Sequence, residues 1–564
     1  MLWFPRTRHL SCHAIHRFRK LSTPSSSSTL PIRKPIQVTS PIFYVNAKPH
    51  IGHLYSAVIA DTLKRWYEFR GFEAIYSTGT DEHGLKIQEA AKNAKTEPKA
   101  FCDGISESFK ELFDAANVGY TRFIRTTDND HYVAVEAIWR KLVENGYIYK
   151  GTHEGWYSIS DETFYPATQV ETSTNPKTGV ERTVSKETGK VVEWTVEENY
   201  KFRLGMVRSR LVDWLEANPD AIIPKTQYNN ILSTLKANPS ETDGLTDISV
   251  SRPHSRLQWG IPVPDDPSHV VYVWLDALTN YLTVAGYPWP NTQSQESSAW
   301  PAQWHIVGKD IIKFHAIYWP AFLIAADLPL PRKILSHAHW LQGKTKMSKS
   351  LGNVTDPHKL MKEFGVDPVR YFLMRDGGIE HDADFSQEMV LKRYRELANQ
   401  LGNLALRCSG VKVNPGQIIP VRPGQDGFGE DEKTLVDLLS TVRDDVTNRI
   451  ERAQFSRSLE SVISTIAEAN RYWDHQKPWI LAEHSQAGDA KAREQLQTAL
   501  YLCFETMRVT GLLLQPVMPE KMGILLSWLG AEDRVWEQAV FKAQQPGSKA
   551  VALSRLEPLF PKLK

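Results

Sequence analysis

The sequence predicts an α/β fold in which a doubly wound parallel sheet is interrupted by an inserted domain and followed by an all-helical domain. Three observations lead to this prediction: a strand–helix–strand pattern within residues 35–81, a β-rich and loop-like stretch at 151–260, and apolar residues at helical spacing after about residue 386. A chain of 564 residues is long enough to bury more than one hydrophobic core. We therefore expect several domains.

The first strand–helix–strand unit predicts that the sheet is parallel. Alternating β-type residues occupy positions 36–44, and apolar residues then recur every three or four positions over 51–66. Gly71 is typical of a helix end, and a second apolar strand follows at 72–77. A strand, a helix and a strand in about 45 residues form a βαβ unit, whose strands are parallel.

The N-terminal segment differs in charge from the rest of the chain. The first 60 residues contain eight of the 67 Lys and Arg but none of the 65 Asp and Glu, and residues 25–28 are a run of serines. An Arg- and Ser-rich, acid-free segment without a continuous apolar core is typical of an organelle transit peptide, and we expect the mitochondrial matrix as the destination. The nearly balanced charge elsewhere excludes a general polyanion binder, so a nucleic-acid partner requires a local surface.

The sheet pattern returns after the insertion. Residues 304–307 and 334–337 are predicted strands, and 397–406, 435–442 and 499–514 have the apolar spacing of helices. The predicted segments are a transit peptide at 1–32, the first half of the sheet domain at 33–150, the inserted connective domain at 151–260, the second half of the sheet domain at 261–340, a loop-containing region at 341–385 and the helical domain at 386–564.

Cysteines and apolar runs argue against two further classes of protein. The four cysteines, Cys12, Cys102, Cys408 and Cys503, form no CxxC pair, which argues against a disulfide framework and a thiolate zinc site. The apolar stretch 314–331 is interrupted by a histidine, an aspartate and three prolines, and it is predicted to be buried globular structure. We expect no membrane association.

The first motif with chemical content is His50-Ile51-Gly52-His53, which follows the first strand and opens the first long helix. Amides at a helix N-terminus and two imidazoles bind phosphate, and the glycine lets a nucleotide approach the backbone. Taken alone, the motif is weak evidence for a phosphate site, since two histidines that only cap a helix would also explain it.

The second motif is Lys346-Met347-Ser348-Lys349-Ser350, in a polar loop between Gly343 and Gly352. Two lysines on one loop neutralise the charge that builds up on a transferring phosphoryl group and a leaving pyrophosphate. This motif is much more specific than the first. The alternative interpretation of this motif is a solvated loop that carries lysines without a catalytic role. This interpretation is disfavoured because both motifs follow predicted strands of one sheet.

With these motifs the chain resembles the class I aminoacyl-tRNA synthetases, and among them the methionyl family. The other segments that carry the resemblance are Pro41-Ile42-Phe43-Tyr44-Val45-Asn46, Gly79-Thr80-Asp81-Glu82-His83-Gly84, Val273-Trp274-Leu275-Asp276-Ala277-Leu278, Gly308-Lys309-Asp310-Ile311 with His315, and Asn403 with Arg407. The resemblance covers about residues 36 to 520. It implies a Rossmann-type catalytic domain, a loop region that contacts the tRNA stem, and an anticodon-binding helical bundle.

The resemblance implies a reaction in two steps. Methionine carboxylate attacks the α-phosphate of ATP to give methionyl-adenylate and pyrophosphate, and the terminal adenosine hydroxyl of tRNA(Met) then takes the acyl group. ATP would enter with Mg²⁺. The implied catalytic residues are His50, His53, Lys346 and Lys349, and the implied ATP contacts also include Gly52, Gly308, Asp310, Met347 and Ser348.

The resemblance also implies the two other substrate sites. The implied methionine contacts are Ile42, Tyr44, Asp81, Trp274, Ala277, Leu278, Tyr281, Ile311 and His315. An apolar, aromatic cavity suits a thioether, and a carboxylate would pair with the substrate ammonium. Asn403, Arg407 and Trp479 would bind the anticodon by stacking and polar contacts. Initiator and elongator tRNA(Met) are the expected partners of a monomer.

One departure from the family concerns zinc. Where zinc-containing members carry cysteines, this sequence has Tyr157-Ser158-Ile159-Ser160-Asp161-Glu162, and no cysteine lies between residues 103 and 407. We therefore predict an enzyme without zinc.

Three alternatives stay open. Another adenylate-forming ligase of this fold would not need anticodon contacts, and a non-catalytic RNA-binding relative would not need an intact His50, His53, Asp81 and lysine pair. Synthetases for leucine or valine normally carry a much larger insertion than this chain holds, and a cysteinyl enzyme would be expected to ligate zinc through thiolates.

Overall fold

The computed structural model describes residues 34–160, 163–165, 167–174, 181–237, 246–347, 355–421, 428–542 and 550–563. The predicted transit peptide lies outside these ranges.

The strands are β1 (Ile36–Tyr44), β2 (Ala74–Asp81), β3 (Arg122–Arg125), β4 (Ile148–Ser158), β5 (Thr163–Tyr165), β6 (Val170–Thr174), β7 (Glu181–Ser185), β8 (Glu193–Phe202), β9 (Ile222–Ile223), β10 (Ile248–Ser249), β11 (Ser251–Pro253), β12 (Pro262–Val263), β13 (Asp266–Val271), β14 (Trp304–Gly308), β15 (Ile334–His337), β16 (Trp340–Gln342), β17 (Thr345–Lys346), β18 (Ala383–Asp384), β19 (Ile418–Ile419) and β20 (Val551–Ala552). The α-helices are α1 (Ile51–Phe69), α2 (Leu85–Asn93), α3 (Pro98–Ala115), α4 (Asn129–Glu144), α5 (Arg208–Ala217), α6 (Lys225–Lys236), α7 (Val273–Val284), α8 (Thr292–Ser297), α9 (Trp319–Ala325), α10 (Pro357–Phe364), α11 (Val366–Asp376), α12 (Gln387–Leu397), α13 (Asn403–Cys408), α14 (Glu430–Glu451), α15 (Phe455–Gln476), α16 (Pro478–Gln486), α17 (Ala490–Leu514) and α18 (Pro519–Trp528).

The central sheet confirms the predicted doubly wound parallel fold. Within the described residues it has six parallel strands in the order β3–β2–β1–β14–β15–β9. The chain extends the sheet in one direction from β1 and in the other from β14, so the strand order reverses between these neighbours. Ligands of open α/β sheets bind at the carboxyl ends of the strands where the order reverses. The fold therefore points to a site beside Tyr44 and Gly308.

Helix α1 fills one side of this sheet. Its buried residues include Leu54, Val58 and Leu63, which join a core shared with β1 and the C-terminal helices. Gly71 has a φ of 76°, a left-handed conformation that glycine adopts without steric cost and that ends the helix as predicted.

The insertion is β-rich, as expected, but the chain returns to the central sheet within it. Strands β4 and β8 form a long antiparallel pair, and the polar stretch 171–190 contributes to the β6–β7 hairpin. Strand β9 lies inside the range 151–260 yet pairs with β15 at the edge of the central sheet. Two residues are too short to show a β-type alternation. The segment boundaries themselves stay predictions.

The C-terminal part is helical, as predicted. Strands β16, β17 and β18 form a small sheet, and α10 and α11 lead from it into a bundle of α12–α18. The end of the chain packs back on this bundle, where β20 pairs with β19 and the Tyr394 hydroxyl donates to Pro561 O. In the part of the chain that the structure describes, no helix is both long and apolar enough to cross a membrane.

Candidate active site

The first motif caps helix α1 at the carboxyl end of β1. His50 Nδ1 accepts a hydrogen bond from Gly52 N–H at 3.0 Å, and His50 N–H donates to His53 Nδ1 at 3.1 Å. Since both Nδ1 atoms accept, each neutral ring carries its proton on Nε2 and presents a donor beside the helix N-terminus. A Cβ on Gly52 would lie 2.9 Å from His50 Cε1, so a side chain here would displace the ring that folds back over the glycine. Helix capping and phosphate binding are therefore compatible in one arrangement.

Polar groups also follow β14, the neighbour of β1. Gly308 ends this strand, and a Cβ there would lie 2.6 Å from Asp310 Oδ1. Asp310 Oδ1 is 3.3 Å from His339 Nε2, while Lys309 Nζ donates to both oxygens of Asp382 at 2.7 and 2.8 Å. Gly308 and Asp310 thus lie where a switch-point nucleotide would pass.

The second motif is only partly described. Lys346 belongs to β17, which pairs with β16, and the Met347 side chain is buried. Ser348 and Lys349 lie outside the described residues, so their predicted contacts with ATP stay predictions.

Six of the predicted methionine contacts lie on two segments that pack together. Trp274, Ala277, Leu278 and Tyr281 are on α7, and Ile311 and His315 follow β14. Gln37 Nε2 on β1 donates to Tyr281 O at 3.0 Å, which attaches α7 to the central strand. Trp274 stacks on Phe314 with ring centroids 3.5 Å apart and planes 7° from parallel. Sequence analysis missed Phe314, although it is the neighbour of His315.

The other three predicted contacts lie at the ends of β1 and β2. Tyr44 and Asp81 are paired residues in the parallel register, and Asp81 is 8% exposed. Ile42 and Tyr44 are both half-buried, and their spacing of two puts them on one face of the strand. The Asp81 carboxylate therefore lies at the same edge of the sheet as His50 and His53, the two candidate phosphate-binding residues.

Hydrogen bonds define the tautomer of His315. Its Nδ1 donates to Ile311 O at 3.0 Å, so its Nε2 accepts the Tyr281 hydroxyl hydrogen at 2.7 Å. The His305 ring lies against Tyr281 with centroids 4.3 Å apart. Burial lowers the pKa of His315 to about 4 and that of His305 well below its usual value, and it raises the pKa of Tyr281. This wall is uncharged at neutral pH, which suits a thioether.

A buried network next to α7 was not detected in the sequence. Asp276 accepts from His83 Nδ1 at 2.7 Å and from His131 Nε2 at 2.8 Å, and the three side chains are at most 1% exposed. Burial raises the pKa of Asp276, but the two histidines outweigh it, so that the pKa lies below its usual value. The partners are 193 and 145 residues away in the chain, so no local pattern reveals them.

The predicted anticodon contacts lie near the C-terminal end of α15. Asn403 is exposed at the start of α13, and Arg407 follows one turn later. Arg407 pairs with Asp474 and lies 5.8 Å from the Trp473 ring centroid. Trp479, at the start of α16, is 45% exposed. An exposed ring, with amide and guanidinium groups on the same bundle, suits unstacked bases.

Comparisons with known proteins agree with this geometry. The chain matches the family model of class I tRNA synthetases (M) over residues 36–409 and that of the anticodon binding domain of methionyl tRNA ligase over 422–564. A probable mitochondrial methionine–tRNA ligase of Neurospora crassa is 42% identical over 94% of this chain and 85% of its own length, and the mitochondrial methionine–tRNA ligase of Homo sapiens is 45% identical over 87% and 83%.

A solved structure extends the likeness to three dimensions. The crystal structure of Mycobacterium tuberculosis methionyl-tRNA synthetase bound by methionyl-adenylate has a TM-score of 0.85 and 38% identity, and the match covers 94% of this chain and 100% of that one. The resemblance inferred from the motifs is confirmed: the chain belongs to the methionyl-tRNA synthetase family of class I.

Proposed function

We propose that this chain joins L-methionine to tRNA(Met) through methionyl-adenylate, at the expense of ATP, in the mitochondrial matrix. One observation carries the proposal: the two histidines cap α1 at the carboxyl end of β1, and the uncharged groups of Tyr281 and His315 join α7 and the segment after β14 against the same central strands. The mitochondrial names of the relatives and the Arg- and Ser-rich N-terminus support the location.

The first step requires positioning and charge neutralisation. The Nε2–H groups of His50 and His53 bind phosphate oxygens, and Lys346 and Lys349 offset the charge of the transition state and of pyrophosphate. Asp81 holds the methionine ammonium so that the carboxylate faces the α-phosphate. These residues hold and orient both substrates without forming a covalent bond to either.

Mg²⁺ enters with ATP in this proposal. Among the described residues no three His, Cys, Asp or Glu side chains form a metal-binding group, and Mg²⁺ in phosphoryl transfer is held largely by substrate phosphates and water. It supplies positive charge to those phosphates. The enzyme is expected to contain no zinc, and about one zinc per purified chain, measured by mass spectrometry, would contradict this.

In the second step the terminal adenosine hydroxyl takes the acyl group. Asn403, Arg407 and Trp479 bind the anticodon at the far end of the tRNA. A monomer carries both sites, and initiator and elongator tRNA(Met) share the anticodon that is read.

The test is amino-acid-dependent ATP–pyrophosphate exchange by protein that lacks residues 1–30, with each of the twenty amino acids in turn. We expect exchange with methionine alone, its loss in Lys349→Ala, and its retention in Lys344→Ala, a control in the adjoining turn. Exchange with another amino acid would contradict the pocket assignment. Folded protein that binds tRNA but exchanges with none would be an RNA-binding relative.

A further inference from the structure

The guanidinium of Arg370 on α11 is buried and connects separate parts of the chain. It donates to Asp61 Oδ2 at 2.5 Å, to Val517 O at 2.8 Å, and to Pro516 O and Asn117 O at 3.2 Å each. The Arg370 and Asp61 side chains are 1% and 0% exposed. A buried charge is stable only where its partners are all in place, so these bonds specify the relative position of the segments that supply them.

These partners belong to the two ends of the proposed tRNA path. Asp61 lies on α1 three turns after His50, about 16 Å along the helix axis. Both carbonyl groups of the bundle come from the link between α17 and α18. Helix α17 packs against α13 and α16, which carry Arg407 and Trp479. Packed helices therefore connect the phosphate site to the anticodon surface by way of Arg370.

A second residue of α11 strengthens the same junction. Asp367, one turn before Arg370, accepts a hydrogen bond from Lys521 N–H at 2.6 Å and so caps the first turn of α18. A further link between α1 and the bundle, Arg70 with Glu451, is 24% and 47% exposed. Exposed pairs contribute little, so the buried contacts of α11 are the stronger of these polar links.

We propose that Arg370 is a positioning residue that holds the anticodon-binding bundle at one angle to helix α1. One tRNA must reach Trp479 and the His50 site together, and two linked contacts reinforce each other only when the geometry permits both. This inference rests on the proposed function. Methionine activation involves no tRNA and is independent of this angle, whereas tRNA charging depends on it.

The test compares the two steps in Arg370→Lys. Lysine keeps the charge beside Asp61 but lacks the fork of donors that reaches the bundle. We expect pyrophosphate exchange within about threefold of the unchanged protein and a rise of about tenfold or more in KM for tRNA. Asp367→Ala, which removes the acceptor for Lys521 N–H and leaves Asp61 and α1 untouched, should give the same split. The control is Arg508→Lys, whose partner Glu505 lies on the same helix α17, so that this pair, at 16% and 9% exposure, does not cross the junction.

Two results would overturn the proposal: exchange and charging that decline in proportion, or charging that stays unchanged in both α11 variants. Nitroxide labels on cysteines introduced at exposed Glu68 and Ile524 give a readout without catalysis. Their distance distribution should broaden in Arg370→Lys and not in Arg508→Lys. If the unchanged protein fails to charge tRNA, the proposed function fails, and the label distances alone decide the role of Arg370.

Discussion

Tyr281 donates its hydroxyl hydrogen to His315 Nε2 across 2.7 Å, because the other nitrogen of that ring is bound to the Ile311 carbonyl. This bond connects α7 with the segment after β14, so two walls of the proposed methionine pocket form one unit. In this arrangement the tyrosine keeps its proton and His315 carries only one, on Nδ1, so both side chains are neutral.

Tyr281→Phe tests this connection. The change leaves a buried nitrogen without its donor, at a cost of about 1–3 kcal/mol. We expect KM for methionine in pyrophosphate exchange to rise about tenfold, with a smaller effect on kcat. Tyr287→Phe, beyond the end of α7, is the control. Equal behaviour of the two variants would speak against a role of the hydroxyl in the pocket.

His50→Asn separates capping from phosphate binding. Asparagine is a good helix N-cap, so the free energy of unfolding should change by less than about 0.5 kcal/mol, whereas His50→Ala should lose about 1 kcal/mol. Both variants lack the Nε2–H donor, and exchange should fall about 10²- to 10³-fold in each. Normal exchange by the asparagine variant would restrict His50 to a structural role.

Gly52→Ala should disturb the same ring by a different route. The added Cβ would lie 2.9 Å from His50 Cε1, so the imidazole must move away from the helix end. We expect KM for ATP to rise about tenfold in exchange assays, a loss of about 1.4 kcal/mol. Gly104→Ala is the matched control, because no atom lies within 4 Å of a Cβ there and alanine favours the helix. An unchanged KM in Gly52→Ala would show that the ring tolerates the methyl group.

Stability should decrease in mild acid because of two buried histidines. Burial lowers the pKa of His315 and that of His337 to about 4 each, whereas an unfolded histidine titrates near its usual pKa of about 6.5. Between these values the unfolded chain binds more protons, so the free energy of unfolding falls as the pH falls from about 6.5 to 4, by about 3 kcal/mol for each histidine. Urea denaturation at several pH values over this range should show that the free energy of unfolding changes less steeply with pH in His337→Gln than in the unchanged protein. If the free energy of unfolding changed equally with pH in both proteins, groups other than His337 would cause the loss of stability in acid.

Trp479→Ala should affect tRNA charging and leave activation unchanged. Base stacking on an exposed aromatic ring contributes about 1–3 kcal/mol, so KM for tRNA should rise about 5- to 100-fold while pyrophosphate exchange stays constant. Trp194→Ala, at an exposed tryptophan of β8, is the control. Reduced charging in both variants would argue against a specific contact at Trp479.

Local patterns predicted the elements that depend on local physics. Strand β1 alternates β-type residues, β15 is a short apolar run, and α1 repeats apolar residues on one face, so both types of element were visible in the sequence. Strand β9 has only two residues, and its pairing with β15 depends on a partner more than a hundred positions away. No pattern of period two exists in such a strand.

The residues of the candidate active site also divide into those that a local sequence pattern revealed and those that only the fold revealed. The capping of α1 by His50 follows from a motif of four residues, whereas the pocket around Trp274 came from family resemblance, since one buried aromatic residue is usually a core residue. Asp276 lay in a family segment, but its pairing with His83 and His131 arises only when α4, α7 and the end of β2 meet. Contacts between distant positions need the fold itself.

The pairing of β1 with β14 has a consequence for how the chain folds as it is made. Val38 pairs with Trp304, so the central strand lacks its second neighbour until more than half of the protein has been synthesised. At about 5–20 residues per second the ribosome needs roughly 10 to 50 seconds to span that interval. Throughout it the nascent protein exposes an unpaired strand edge, which is a template for aggregation. Strand β1 therefore gains its second neighbour only after β14 has emerged from the ribosome.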